Sequence, residues 1–164
     1  MTEQIFCESL RKILKDKKQL ESSLKVKLES KGKVLIIDGK AEDELLALSV
    51  IESMTLGFSI DQALDLKQEG FTFSKIEIKS ISHRKDMSQV RARVIGRERK
   101  ALNTIEDLTG CSLVLHNNTV GIIGEIRAVE KSEFALRKLI KGSKHSNVYH
   151  YLEEENAKER LEFH

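Results

Sequence analysis

Apolar residues along the first 70 positions recur at spacings that predict helices and two short strands. Leucine and isoleucine at helical spacing predict a helix over 8–23. Strands are expected around Leu28 and over 34–37, and a long helix follows over 41–56. Ser59 is expected to cap one further short helix. The apolar face of the 41–56 helix should bury Leu45, Leu46, Leu48, Val50, Ile51 and Met54.

The pattern from residue 71 onward predicts a β-rich stretch, a helix, two strands and two more helices. In order these cover residues 71–81, 100–109, 112–116, 120–123, 128–141 and 147–163. Phe134 is among the side chains that the 128–141 helix is expected to bury. The last helix is expected to begin at Ser146 or Asn147 as its cap, and to dock on the body through Val148, Tyr151 and Leu152.

The two halves of the chain predict the same order of elements, with a leading strand evident only in the second half. Val26 and Leu28 precede Cys111 and Leu113 by 85 positions, and further apolar pairs match at slightly larger offsets. Agreement in element order and in residues indicates two copies of one mixed α+β module.

Charge is distributed unevenly along the chain. Residues 1–70 carry a net −2, residues 71–142 a net +6, and residues 143–164 a net −2. Within the middle block, the segment 84–100 holds seven cations against two acids, and five of the seven are arginine. A local field of this kind is typical of proteins that bind a polyanion, and the guanidinium group suits phosphate geometry. A solvated helix face without a partner is the alternative on charge alone.

Several classes of protein are not supported by the sequence. No apolar run has the length needed to span a bilayer, and the N-terminus lacks the pattern of a signal peptide, which favours a cytoplasmic protein. Two cysteines make a disulfide framework or a zinc cluster implausible, and no cofactor motif occurs. The five histidines are scattered, so no catalytic constellation is found and an enzyme is not expected.

The segment 94–100, VIGRERK, is the part of the chain whose residue pattern indicates anion binding. A glycine at a corner before a helix lets the backbone approach a phosphate, while the helix offers free N–H groups. Arg97, Arg99 and Lys100 at that end would complete an anion clamp. A glycine that merely forms a tight corner between helices is the alternative.

From residue 94 the chain resembles a type I KH domain. The carrying motifs are I-G-x-x-x-K before a helix, I-E-x-x-T-G before a strand, and V-x-I-I-G before the last helix. The continuation KHSNVYHYLE and the stretch LLALSVIESMTLGFSIDQALDL are similar to an archaeal tandem-KH family. Members of this family assist maturation of the small-subunit ribosomal RNA (rRNA) and partner the nuclease of the rRNA 3′ end.

The resemblance implies an α+β fold with two tandem type I KH-like modules, each a three-stranded sheet backed by three helices, and a C-terminal helix. Residues 1–70 would form a degenerate first module, 71–142 the second module and 143–164 a helical tail. The second module would hold about four nucleotides of single-stranded RNA. The expected RNA-binding residues are Arg91, Arg93, Ile95, Gly96, Arg97, Glu98, Arg99, Lys100, Leu113 and Leu115.

Both modules depart from the G-x-x-G loop that is usual in KH domains. In the second module Arg99 takes the place of the second glycine, so either its side chain contacts RNA or the module binds more weakly. In the first module the loop is expected near 11–14, a segment without glycine, which suggests a structural and protein-docking role. The tail is expected to hold its acidic patch, 153–155, away from the RNA cleft.

The functional prediction is an RNA-binding assembly factor in small-subunit rRNA maturation that needs no metal or other cofactor. Single-stranded RNA near the 3′ end of that rRNA is the expected ligand. By resemblance, the rRNA 3′-end nuclease and a translation initiation factor subunit are expected partners, without any membrane association. The alternative is a protein-interaction scaffold whose degenerate KH loops bind little RNA.

Overall fold

The computed structural model describes residues 2–162, and the chain forms two compact units whose boundary in the sequence falls between Phe71 and Thr72. Each unit contains a three-stranded sheet together with helices. The C-terminal helix belongs to the second unit. This architecture confirms the predicted α+β class with a repeated module and a helical C-terminal extension.

The first unit is built around a sheet in which the central strand pairs antiparallel with both neighbours. In chain order its elements are β1 (Thr2–Phe6), α1 (Leu10–Lys15), α2 (Lys17–Leu24), β2 (Lys27–Lys31), β3 (Val34–Asp38), α3 (Ala41–Leu56), α4 (Ile60–Leu64) and a 3-10 turn (Asp65–Lys67). Strand β3 is the central one. Alternation along β3 buries Leu35 and Ile37, which pack with Leu28 of β2 into the core.

Strand β1 has no clear sequence signal. None of its residues is fully buried, and Phe6 is 60% exposed, so it lacks the strong alternation of a half-buried strand. Its pairing with β3 runs from Thr2 opposite Asp38 to Phe6 opposite Val34. Pairing with a neighbour that is distant in sequence therefore determines this element.

The helix expected over 8–23 is two helices in the structure, which meet at Asp16. Asp16 has φ −101° and ψ 13°, outside the helical geometry of its neighbours. The prediction of a loop near 11–14 was wrong, because those residues lie inside α1. The corner that corresponds to a KH loop is therefore at Asp16.

Helix α3 has the predicted bounds, and its predicted apolar face is confirmed in part, with Leu46 and Leu48 only half-buried. Ala47, Val50, Ile51 and Met54 are completely buried, whereas Leu45 is 60% exposed. The helix buries only one face, which includes Glu44, whose carboxylate accepts from the backbone N–H of Gly39 at 3.1 Å. The predicted cap at Ser59 is confirmed, since its hydroxyl accepts from the backbone N–H of Gln62 in a capping box.

The second unit repeats the order strand, two helices, two strands and helix, with an additional helical turn after its longer first strand and a long helix at its end. These are β4 (Phe71–Glu77), α5 (Ile78–Ile81), α6 (Met87–Ile95), a 3-10 turn (Arg97–Arg99), α7 (Lys100–Thr109), β5 (Ser112–His116), β6 (Thr119–Glu125), α8 (Ile126–Lys141) and α9 (His145–Glu162). Strand β6 lies between β4 and β5 and pairs antiparallel with β5. The β-rich stretch expected over 71–81 thus ends at Glu77, where a single helical turn begins.

Helix α9 docks on the second unit through Val148 and Leu152, which are both buried as expected. It begins at His145, so Ser146 and Asn147 lie inside the helix and neither is its cap. Tyr151 is half-buried, and its ring centroid lies 4.6 Å from that of Phe134. Phe134 itself is 43% exposed and is not part of the core. Residue 163, the end of the predicted helix, lies outside the described residues.

One hydrogen bond repeats between the two units at the offset seen in the sequence. A carboxylate oxygen of Glu21 accepts from the backbone N–H of Leu28 at 2.9 Å. Eighty-five positions later, Glu106 accepts from the N–H of Leu113, also at 2.9 Å. The bond joins α2 to β2 in the first unit and α7 to β5 in the second.

Among residues 2–162, no helix has both the length and the apolar character required to cross a membrane. Within the same part of the chain, histidine, cysteine, aspartate and glutamate side chains form no group that could hold a metal ion.

Candidate nucleic-acid interface

The corner between α6 and α7 turns at Gly96. This residue has φ 77° and ψ 170°, and its N–H closes α6 by donating to the carbonyl of Ala92 at 2.8 Å. A Cβ at this position would lie 2.7 Å from the backbone nitrogen of Ala101. Both the positive φ and the close approach of α7 therefore require glycine here.

Arg99 occupies the position of the second loop glycine and adopts a left-handed conformation, with φ 64°. Its guanidinium group turns toward the protein: Nη1 donates to Glu106 Oε1 and Nη2 to the carbonyl of Leu113, each at 2.6 Å. It also donates to the side-chain oxygen of Asn103. Arg99 therefore connects α7 to β5 through hydrogen bonds, and its guanidinium forms an ion pair with Glu106.

Arg91 and Arg93 of α6 also bind within the second unit. Arg91 donates to the side-chain oxygen of Asn118, in the turn between β5 and β6, at 2.6 Å. Arg93 donates to the carbonyls of Leu139, at 2.9 Å, and Ser143. The guanidinium of Arg93 thus joins α6 to the last turn of α8 and to the residue two positions beyond it, and the Leu139 carbonyl also accepts from the N–H of Gly142.

Arg97 and Lys100 are the exposed cations of the loop. In the part of the chain that the structure describes, neither side chain forms a hydrogen bond or an ion pair. Both lie at the N-terminal end of α7, where free N–H groups and the helix dipole favour an anion. Glu98 is exposed between them, with φ 54°. These two cations are available for phosphate, whereas Arg91, Arg93 and Arg99 are already bound.

The apolar residues expected to contact bases differ in their access to solvent. Ile95 and Leu115 are half-buried and pack against the core of the second unit. Leu113 is completely buried, so its side chain offers no surface to a ligand, and its inclusion in the cleft was wrong. Leu113 lies on the face of β5 that points toward the helices, so its side chain packs into the core and not into the cleft.

A groove of about 260 Å³ opens beside the Gly96 loop. The residues that line it are Gly96, Arg97, Lys100, Ala101, His145 and Tyr149. His145 and Tyr149 come from α9 and were not among the predicted site residues. The first two turns of the tail therefore contribute to the groove, whereas the acidic residues 153–155 are not among the residues that line it. The four-residue spacing of His145 and Tyr149 places both side chains on one face of α9. This spacing is the sequence signal from which the pair could have been predicted.

Asp86 and Cys111, which do not line the groove, have perturbed pKa values. A hydrogen bond from the Ser88 hydroxyl lowers the pKa of Asp86, whose carboxylate caps the start of α6. Burial raises the pKa of the Cys111 thiol, which keeps it protonated and unreactive. A Cβ at Gly124 would lie 2.6 Å from the Cys111 sulfur, so the adjacent strand packs closely against this thiol. Neither group supplies a nucleophile or a proton donor to the groove.

Comparison with protein families matches residues 72–157 to the family KH_PNO1_2nd, described as eukaryotic type KH-domain (KH-domain type I). The matched range contains β5, β6, α6, α7, α8, the Gly96 loop and most of α9.

Two curated relatives have similar sequences. The KH domain-containing protein MJ0443 of Methanocaldococcus jannaschii is 32% identical over 149 residues, which cover 87% of this chain and 66% of that protein. The pre-rRNA-processing protein pno1 of Aspergillus oryzae is 27% identical over 103 residues, covering 60% of this chain and 40% of the relative. The chain thus matches less than two-thirds of the length of each.

A solved structure shows the same fold over almost the whole chain. The aDim2p chain in the crystal structure of an a/eIF2α–aDim2p–rRNA complex from Pyrococcus horikoshii is 26% identical. The similarity covers 96% of this chain and 95% of the other, with a TM-score of 0.88.

Proposed function

The chain belongs to the KH_PNO1 family of type I KH domains, and on this basis we propose that it is an RNA-binding protein of pre-rRNA processing. Relatives named for RNA binding and pre-rRNA processing support the proposal, as does the structural neighbour in a complex with rRNA. The ligand would be single-stranded RNA near the 3′ end of the small-subunit rRNA. The protein would act without catalysis and without a cofactor, in the cytoplasm.

The observation that carries this proposal is the pair of cations that follow Gly96, Arg97 and Lys100, whose side chains have no partner among residues 2–162. In the proposed complex Gly96 lets the RNA backbone approach α7, and the two cations neutralise adjacent phosphates. Ile95 and Leu115 would contact bases. Arg91, Arg93 and Arg99 would support the loop through the bonds described above, and Glu98 would limit affinity by repelling phosphate.

Salt-dependent binding tests the proposal. The affinity for a single-stranded RNA of the small-subunit rRNA 3′ end is measured by fluorescence anisotropy between 50 and 300 mM salt, beside an unrelated sequence of equal length. Replacing Arg97 and Lys100 together by Ala should weaken binding to both RNAs. It should also reduce the slope of log affinity against log salt by about 1.4, since each single-strand phosphate contact contributes about 0.7.

Matched variants elsewhere in the second unit provide the control. Lys79 and Lys85 are exposed lysines of the second unit outside the groove, and their replacement by Ala should leave the slope nearly unchanged. If the wild-type protein binds no RNA, or if the double variant keeps its affinity and slope, the loop is not the RNA site. The scaffold function would then be favoured.

The first unit is proposed as a degenerate KH-like module with a structural and protein-docking role. Its corner at Asp16 has no glycine for close backbone approach and presents an acidic residue instead. Protein partners are proposed by analogy: a translation initiation factor subunit, because the Pyrococcus complex contains a/eIF2α, and the rRNA 3′-end nuclease, from the family resemblance alone.

A further inference from the structure

We propose that helix α9 is part of the RNA site and that the ring of Tyr149 stacks on a base adjacent to the phosphates held by Arg97 and Lys100. This inference rests on the proposed function. Tyr149 lines the same groove as both cations, together with His145 and the Gly96 corner. The groove thus joins a cationic edge, suited to phosphate, to an aromatic ring, suited to a base.

Contacts on both sides of Tyr149 hold the start of α9 against the loop. A ring nitrogen of His145 lies 2.9 Å from the carbonyl oxygen of Arg93, two residues before the end of α6. Val148 is 3% exposed and Leu152 is completely buried, so the helix is docked one residue before Tyr149 and three residues after it. Tyr149 is therefore presented to the groove by a fixed helix, which reduces the entropy lost on stacking.

The charge along α9 also favours RNA at its beginning and not at its end. The five acidic residues of the tail all lie at or beyond Glu153. Residues 144–152, by contrast, contain Lys144 and no acid. Phosphate can therefore approach the groove without meeting a carboxylate from the first two turns of α9.

Tyrosine 149 is also one of few side chains in the chain able to stack on a base. The sequence has no tryptophan and only two tyrosines, Tyr149 and Tyr151. Tyr151 lies on a different face of α9, where its ring packs against Phe134 of α8. The two tyrosines are thus a matched pair on one helix, with one ring in the groove and the other outside it.

The test measures RNA affinity for Tyr149→Ala, with Tyr151→Ala as the control. Loss of one stacking platform should weaken binding of Tyr149→Ala by about 5- to 150-fold. The salt slope should stay close to that of the wild type, because no phosphate contact is removed. Tyr149→Phe should recover most of the lost affinity, and Tyr151→Ala should bind RNA as the wild type does. Thermal melting of each variant shows whether α9 remains docked.

Intrinsic fluorescence gives a second readout that does not depend on affinity. In Tyr151→Phe, Tyr149 is the only tyrosine in a chain without tryptophan. Addition of RNA should quench its emission if a base stacks on the ring. The inference is overturned if the Arg97 and Lys100 double variant loses binding while Tyr149→Ala keeps full affinity and the emission does not change. Absence of RNA binding by the wild type would instead overturn the proposed function.

Discussion

At the scale of single residues, the cations of the second unit divide into those that hold the fold and those that can hold a ligand. Arg91, Arg93 and Arg99 each donate to oxygen atoms of the second unit. Arg97 and Lys100, only a few positions away, have no such partner among residues 2–162. Because a guanidinium that already donates to the protein has fewer free N–H groups for phosphate, adjacent arginines have different energetic roles.

Arg99→Ala and Arg97→Ala should separate these roles. Arg99→Ala should lower the free energy of unfolding by about 1–2 kcal/mol, because charge-assisted bonds to Glu106 and the Leu113 carbonyl are lost from a partly exposed site. Arg97→Ala should change stability by less than about 0.5 kcal/mol. Urea denaturation measures both. If Arg99→Ala weakens RNA binding without loss of stability, its guanidinium leaves Glu106 to bind phosphate.

These roles could be predicted only partly from the sequence. The basic segment and the Gly96 corner are visible as patterns in neighbouring residues. The partners of Arg99 at 106 and 113, however, depend on how α7 packs against β5. The complete burial of Leu113 depends on which face of β5 meets the helices.

At the scale of elements, the helix before the strand pair, α2 in the first unit and α7 in the second, ends in a left-handed residue in both units. In the second unit this residue is Gly110, with φ 77°. In the first unit it is Lys25, with φ 59°, at the end of α2. A lysine pays a steric cost in this conformation that glycine avoids.

Lys25→Gly should therefore stabilise the first unit by about 0.5–1 kcal/mol, after allowing for the greater freedom of glycine in the unfolded chain. Gly110→Ala is the reciprocal control and should destabilise the second unit by about 1 kcal/mol. Its Cβ would meet no atom within 4 Å, so the cost comes from the left-handed backbone conformation alone. Thermal melting followed by circular dichroism measures both shifts. A lower melting temperature for Lys25→Gly would mean that unfolded-state entropy outweighs the relief of strain.

Strongly periodic elements could be predicted from the sequence, and elements that depend on distant partners could not. The helix over 41–56 and the strand over 112–116 have the predicted bounds. Strand β1 exists through its pairing with β3, about 30 positions away. The interruption of the first helix at Asp16 has no glycine or proline to mark it.

At the scale of the whole molecule, the C-terminal helix links the stability of the second unit to its candidate site. Besides burying Val148 and Leu152, α9 donates from Asn156 to the carbonyl of Leu108 at 2.8 Å. Lys131 of α8 reaches Glu159 at 3.0 Å. These contacts fix the helix that carries Tyr149.

Deletion of residues 144–164 should lower the melting temperature measurably, since Val148 and Leu152 each contribute about 1.5–3 kcal/mol through burial. Truncation after Arg160 is the control: it removes Leu161, which is 81% exposed, and should leave the melting temperature unchanged. Differential scanning calorimetry compares the three proteins. An unchanged transition in the longer deletion would show that α9 is not docked in solution.

The groove itself could not be predicted, because it joins residues 96–101 to His145 and Tyr149. No local pattern relates positions separated by about 50 residues, and the acidic composition of the tail suggested that it avoids RNA. Only the packing of α9 beside the loop brings its neutral first turns to the site.

The hydrogen bond that Glu21 and Glu106 repeat in the two units bears on how the units can diverge. In the second unit Glu106 also accepts from Arg99 of the corner, whereas among residues 2–162 Glu21 has no such contact with the corner of the first unit. The bond between helix and strand therefore does not depend on an arginine at the corner. Sequence change at the corner of one copy is compatible with this bond, so the repeat allows one copy to specialise while both keep the same connection.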